Sequence, residues 1–134
     1  MNDLIKENLI KNSHKFDLSI IKLKNNFLSA KISTFGATLV DLKFRNEKNS
    51  LILKYDTLSD YIQDSNFIGC TIGRFANRLK GNNFNFINEK QSFSKKNNEN
   101  IVLHSGKNGI NKKIWKILDF SNDFVSLSLL DEET

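Results

Sequence analysis

The chain has 134 residues, room for one domain with one core. Hydrophobic residues make up 39% and charged residues 26%, with eleven Phe among them, which excludes a chain disordered by composition. The net charge of +5 comes from 20 Lys and Arg against 15 Asp and Glu, but the lysines are spread along the chain. Binding to phosphate needs clustering, so no nucleic-acid partner is expected.

No run approaches the roughly 18 apolar residues of a membrane span, and no membrane partner is expected. The start, Met1-Asn2-Asp3-Leu4-Ile5-Lys6-Glu7, is charged and lacks a continuous apolar stretch. It therefore reads as no signal peptide, and a cytoplasmic location is expected. Cys70 is the single cysteine, which excludes an internal disulfide; in its apolar run it reads as a small buried hydrophobe.

With no proline and six glycines, Asn carries most of the turns. Period-two alternation predicts strands over 18–23 and 27–32, with Asn25-Asn26 as a hairpin turn because Asn tolerates positive φ. A strand over 37–44 follows, with Leu39, Leu42 and Phe44 as its buried positions, then a short apolar run over 51–53. Thr57-Leu58-Ser59-Asp60 predicts a short helix ending near Gln63, with Thr57 capping the first turn and Asp60 reaching back. From Phe67 the pattern is apolar through Ile68, Cys70 and Ile72, up to Arg74 and Arg78.

Gly81-Asn82-Asn83 reads as a turn, Phe84-Asn85-Phe86 as an alternating segment, and Asn88-Glu89-Lys90 as a second turn leading to Phe93. Residues 95–100 form a polar loop, and the apolar Ile101-Val102-Leu103 is a strand running into His104. Residues 113–120 and 124–130 predict a last hairpin around Asn122-Asp123. Short strands with one short helix favour an all-β sandwich or barrel. No internal repeat, linker or domain boundary is visible.

Two places carry residues suited to chemistry. His104 ends an apolar strand beside the flexible Ser105-Gly106, where binding residues often sit, although such a histidine taken alone is more often structural. In Gly73-Arg74-Phe75-Ala76-Asn77-Arg78, guanidinium and amide groups interrupt an apolar segment. They suit fixed hydrogen bonding to a polyhydroxylated ligand, or ion pairing to carboxylates such as Asp60 or Asp64. His14, among Asn12, Ser13 and Lys15, reads as a solvated loop residue. No zinc-ligand spacing, phosphate-cradling glycine loop or G-x-S-x-G nucleophile occurs, so neither metal nor cofactor is expected.

The order of these features resembles the aldose 1-epimerase family along nearly the whole chain. Thr34-Phe35-Gly36-Ala37-Thr38-Leu39 is similar to the family's early strand, and Tyr61 to the tyrosine of a short segment before its glycine-arginine stretch. Phe67-Ile68-Gly69-Cys70-Thr71-Ile72-Gly73-Arg74-Phe75-Ala76-Asn77-Arg78 resembles that stretch, with Gly81 and Phe84 in place. His104, Gly106, Gly109, Lys112 and Trp115 resemble the family's leucine-histidine motif. Ser105 stands where the family has glycine, and Asn100 is one place from the family's asparagine before the histidine.

The resemblance implies an antiparallel β-sandwich of the galactose mutarotase-like type, incomplete here, with residues 1–134 as the N-terminal part of a single domain. It implies cofactor-free interconversion of the α and β anomers of free hexoses such as galactose or glucose. A carboxylate base takes the anomeric hydroxyl proton while a histidine acid protonates the ring oxygen; the ring opens, rotates about C1–C2 and closes. On the matching positions Asn77 and Arg78 would hold sugar hydroxyls, His104 would hydrogen-bond near the ring oxygen, with a contribution as acid, and Arg74 would be structural.

The family's second histidine and its glutamate base lie beyond the last residue of this chain, and nothing in it replaces them. The expectation is thus a sugar-binding part incomplete for catalysis, with exposed sheet edges, poor solubility or a complementary C-terminal chain as partner. The alternative is a non-catalytic carbohydrate-binding β module.

Overall fold

A computed structural model describes residues 4–5, 18–81, 83–86, 89–92 and 100–131. Its strands, in chain order, are β1 (Leu4–Ile5), β2 (Ile20–Lys24), β3 (Leu28–Ser33), β4 (Thr38–Phe44), β5 (Arg78–Lys80), β6 (Asn83–Phe86), β7 (Glu89–Ser92), β8 (Ile101–Leu103), β9 (Lys116–Phe120) and β10 (Val125–Ser128). The helix α1 (Leu58–Gln63) lies between β4 and β5, and two 3-10 turns, Gly106–Asn108 and Ile110–Lys112, follow β8. β1 to β4 form one sheet in sequence order; β5 pairs with β8, β6 with β7 and β9 with β10, all antiparallel. The all-β expectation with one short helix holds.

The β2–β3 hairpin forms where alternation predicts it. Its turn works differently from the expectation, since neither Asn25 nor Asn26 has a positive φ. Instead the Asn25 side-chain oxygen accepts the amides of Phe27 and Leu28, both at 2.8 Å, so a side chain mimics a backbone turn.

β4 departs further. The register against β3 slips between Lys31 and Ile32, which face Asp41 and Leu39, leaving Val40 as a bulge. Past the bulge the faces exchange, so Thr38, Val40 and Asp41 are buried while Phe44 is 42% exposed. The expected buried set of Leu39, Leu42 and Phe44 is therefore corrected: the first two are half-buried and the third faces out. The 51–53 run forms no strand, and Leu51 and Leu53 are exposed.

The helix matches its prediction. The Thr57 hydroxyl accepts the Asp60 amide at 3.4 Å and the Asp60 carboxylate accepts the Thr57 amide at 3.3 Å. Its inner residues, Leu58 and Tyr61, join Ile20 and Val40 in the main buried cluster, with Tyr55 and Ile68 packed against it. Each such burial stabilises by about 1.5–3 kcal/mol. The Tyr61 hydroxyl accepts the Tyr55 amide at 3.1 Å and donates to the Val40 carbonyl at 3.3 Å, fastening α1 to the bulge. The two tyrosine rings meet edge-on with centroids 5.1 Å apart. Burial pushes the Tyr61 phenol above its ordinary pKa.

The turn between β3 and β4 ties this sheet to the rest. Gly36 donates its amide to the Lys113 carbonyl at 2.8 Å, Trp115 donates to Thr34 at 2.8 Å, and Thr71 donates to Gly36 at 2.9 Å. Gly36 has φ +64°, and a Cβ there would lie 2.5 Å from the Asn111 carbonyl oxygen. Only glycine fits both conditions.

Other sequence expectations need amending. Cys70 is half-buried rather than buried, with partial desolvation raising its thiol pKa. Glu89 and Lys90 open β7 instead of lying in a turn, and β9 starts at Lys116, after the 3-10 turns. Asn82, Asn88, Phe93, most of the 95–100 loop and His14 lie outside the described residues. Among the described residues, no helix is long and apolar enough to cross a membrane.

Replacing Tyr61 by Phe removes the acceptor of the Tyr55 amide and the donor to Val40 while leaving the ring in place. Urea unfolding followed by fluorescence is expected to show a loss of about 1–2 kcal/mol, the range for orphaning a buried polar group.

Candidate functional site

β5 and β8 position the candidate residues. Arg78 lies opposite Leu103 in their ladder, which places Asn77 and His104 opposite one another just past its end. Val102, 1% exposed, anchors β8. At the ladder's end the His104 amide donates to the Asn77 carbonyl at 3.0 Å. The Asn77 amide in turn donates to His104 Nδ1, also at 3.0 Å.

This pair sets the chemistry of the imidazole. A neutral ring that accepts at Nδ1 carries its proton on Nε2. His104 is therefore presented as a hydrogen-bond donor on the side away from the Asn77 backbone. The Phe67 ring packs edge-on against it, with centroids 4.6 Å apart and planes at 66°.

Asn77, His104, Ser105 and Phe67 all have positive φ, at 70°, 49°, 65° and 60°. For residues other than glycine such backbone costs on the order of 1–3 kcal/mol apiece, and it persists only where the surroundings fix it. Ser105 is one source of that fixing. It is 5% exposed; its hydroxyl accepts the Phe75 amide at 2.7 Å and donates to the Phe75 carbonyl at 3.1 Å. Gly109 is another, since a Cβ there would lie 2.8 Å from the His104 carbonyl oxygen and 2.5 Å from Asn111 Oδ1.

The three predicted residues are thus brought together, His104 half-buried and Asn77 and Arg78 exposed. Among the described residues, the Arg78 guanidinium and the Asn77 side-chain amide make no hydrogen bond or ion pair. Both are open to a ligand.

Arg74 is different. Its Nε donates to Asp131 Oδ2 at 2.6 Å and its NH2 group to the Asp131 carbonyl at 2.7 Å, while Lys113 pairs with Oδ1. The expected partners, Asp60 and Asp64, are otherwise engaged. Asp60 caps α1, and Asp64 accepts from the Tyr55 hydroxyl at 2.8 Å and from the amides of Asn66 and Ile68 at 2.7 and 2.9 Å. Partial burial acts to raise the Asp64 pKa, but those hydrogen bonds and the nearby Lys112 outweigh it and lower it.

A cavity of about 410 Å³ lies beside the site, lined by Asp64, Phe67, Leu103, Gly106, Lys112 and neighbouring residues. None of Asn77, Arg78 and His104 lines it; Phe67 both lines the cavity and packs against the imidazole. Among the described residues no three His, Cys, Asp or Glu side chains group as metal ligands.

Phe67, Ser105 and Asp131 are the site residues that sequence reading did not find. The one available signal was Ser105 in a glycine position. For Phe67 and Asp131 the pairing is tertiary and leaves no local mark.

The model of the family described as aldose 1-epimerase matches residues 19–134. The chain is 27% identical over 124 residues to a probable aldose 1-epimerase of Arthroderma benhamiae, covering 85% of this chain and 28% of that protein. It is 26% identical over 117 residues to the galactose mutarotase of Bos taurus, covering 84% of this chain and 34% of that protein. The solved GalM/aldose epimerase homologue from C. elegans superposes with a TM-score of 0.74 at 30% identity, over 84% of this chain and 35% of that one. The chain thus spans about a third of the length of these relatives, with shares of 28%, 34% and 35%, and its fold is of the galactose mutarotase-like type.

The Asp131 carboxylate, hydrogen-bonded by Lys113 and Arg74, is held below the usual carboxylate range. A lowered folded-state pKa contributes stability above the unfolded value of about 3.9, lost as pH falls through the folded one. Asp131→Asn is expected to cost about 0.5–1 kcal/mol near neutral pH, the scale of partly exposed ion pairs. The parent-minus-variant difference from denaturant titrations should be flat at neutral pH and shrink toward zero below about pH 4.

Proposed function

The chain belongs to the aldose 1-epimerase family, and from that premise we propose that it supplies the sugar-holding part of a mutarotase acting on free hexoses such as galactose or glucose. The observation that carries this reading is the Asn77–His104 pairing, which leaves Nε2–H as a donor, while the Asn77 side-chain amide and the Arg78 guanidinium, at the facing strand end, make no hydrogen bond or ion pair among the described residues. An aldohexose presents a ring oxygen, which only accepts, flanked by hydroxyls that both donate and accept. An Nε2–H donor suits the ring oxygen, and the amide and guanidinium suit the hydroxyls.

In this reading His104 hydrogen-bonds the ring oxygen and assists its protonation as the ring opens. Asn77 and Arg78 keep the pyranose in place while C1–C2 rotates. Residues 1–134 are then the N-terminal part of one cytoplasmic domain. The base that takes the anomeric hydroxyl proton and the second histidine belong to further polypeptide, in the same chain or in a complementary one. Two things support that last point: the chain spans about a third of its relatives' length, with shares of 28% and 34%, and large apolar side chains such as Leu53, Leu118 and Leu130 are exposed at 76%, 60% and 84%.

Calorimetric titration with galactose and glucose tests the binding claim. Asn77→Ala, Arg78→Ala and His104→Ala are each expected to weaken binding about three- to tenfold or more, one lost hydrogen bond apiece with Arg78 at the upper end. Polarimetry on freshly dissolved α-galactose should show no acceleration by the 134-residue chain alone. Acceleration that survives His104→Ala, or absence of sugar binding by the parent, would sink the assignment.

A further inference from the structure

Ser105 sits at the start of a 3-10 turn, where a serine hydroxyl ordinarily accepts an amide of the turn it precedes. Here it makes no such bond. The hydroxyl reaches across to Phe75, 30 residues back, and uses both its donor and its acceptor capacity on that residue's amide and carbonyl. The serine does so from a left-handed backbone, φ 65° and ψ 10°, that glycine would occupy without strain.

The geometry connects this contact to the imidazole. Phe75 is two residues before Asn77, and Ser105 directly follows His104. The two strands of contact, Ser105 hydroxyl to Phe75 backbone and Asn77 backbone to His104, therefore brace the same two segments within two residues of each other. Rotating or lifting the 75–77 backbone far enough to break this 3.0 Å contact would take the Asn77 amide off Nδ1. Once Nδ1 has no amide to accept, the proton can sit on either nitrogen, and the ring no longer offers one fixed donor.

We infer that Ser105 is a positioning residue: its hydroxyl clamps the Phe75 backbone, holds the Asn77 amide at His104 Nδ1, and so keeps His104 as an Nε2–H donor. The importance of that donor for sugar rests on the function proposed above. The clamp itself does not.

Ser105→Gly separates positioning from mere structural support, because it deletes the hydroxyl while relieving the backbone strain. Ser105→Ala deletes the hydroxyl and keeps the strain. The measurement is long-range proton–nitrogen correlation NMR of nitrogen-15-labelled His104, at a pH where the ring is neutral, with thermal unfolding of the same samples. The parent is expected to show a single Nε2–H tautomer. Both variants are expected to show averaged nitrogen shifts from a tautomer mixture, with cooperative unfolding retained and the glycine variant no less stable than the alanine one.

His104 shifts unchanged in both variants would overturn the inference. So would a change that appears only with loss of cooperative unfolding, since Ser105 would then act merely by supporting the fold. Galactose titration adds the functional arm: affinity should fall roughly threefold to tenfold in both variants, as for one weakened hydrogen bond. A parent that binds no galactose removes the sugar reading, while the His104 spectra still decide the role of Ser105.

Discussion

Asn77 and His104 meet just past the end of a three-residue ladder, and each depends on the other's backbone. The His104 amide needs the Asn77 carbonyl, and the Asn77 amide needs the imidazole. A ladder that short is marginal by itself. It is held because Val102 is fully buried in its middle, and because Gly73 and Ile110 are hydrogen-bonded at 3.2 Å alongside it. The same packing sustains the four left-handed residues around the imidazole, Phe67, Asn77, His104 and Ser105. The site is made rigid by backbone geometry first, and its side chains inherit their directions from that.

What could be read from the sequence divides by range. The capping box at Thr57 and Asp60 was legible because every atom in it lies within four residues. The β2–β3 hairpin was legible from alternation, and β8 from an apolar triplet. β5 was not, since Arg78-Leu79-Lys80 reads as a charged stretch until its partner, over 20 residues later, pairs with it. The bulge at Val40 was invisible for a related reason: it is a mismatch between two strands, and neither strand alone records it. Of the candidate site, Asn77, Arg78 and His104 were singled out from residue type and motif. Phe67, Ser105 and Asp131 act through contacts to residues 30 or more positions away, and no periodicity carries that information.

Charge is distributed with some economy around the site. Two nearby cations, Arg74 and Lys113, share the single carboxylate of Asp131. Asp64 is surrounded by hydroxyl and amide donors, and Lys112 bonds its carbonyl. Arg78, one residue past Asn77, is left with no hydrogen bond or ion pair among the described residues. The difference between the two motif arginines, four positions apart, is thus one of geometry and not of residue type. Arg74 points toward Asp131, and Arg78 sits on a strand whose outer side is exposed.

The outer margin of β4 has a consequence for how the sheet can grow. Leu39 donates its amide to the Gly69 carbonyl at 2.9 Å, the Leu42 carbonyl accepts the Leu51 amide at 2.7 Å and the Ser50 hydroxyl at 3.2 Å, and the Leu42 amide donates to that hydroxyl at 3.5 Å. These are the groups that an incoming strand would have to use, and loops already occupy them. Enlargement by lateral pairing is closed on this side. A strand pairing there would first have to displace these loop contacts, so the chain's own turns guard this border of the sheet.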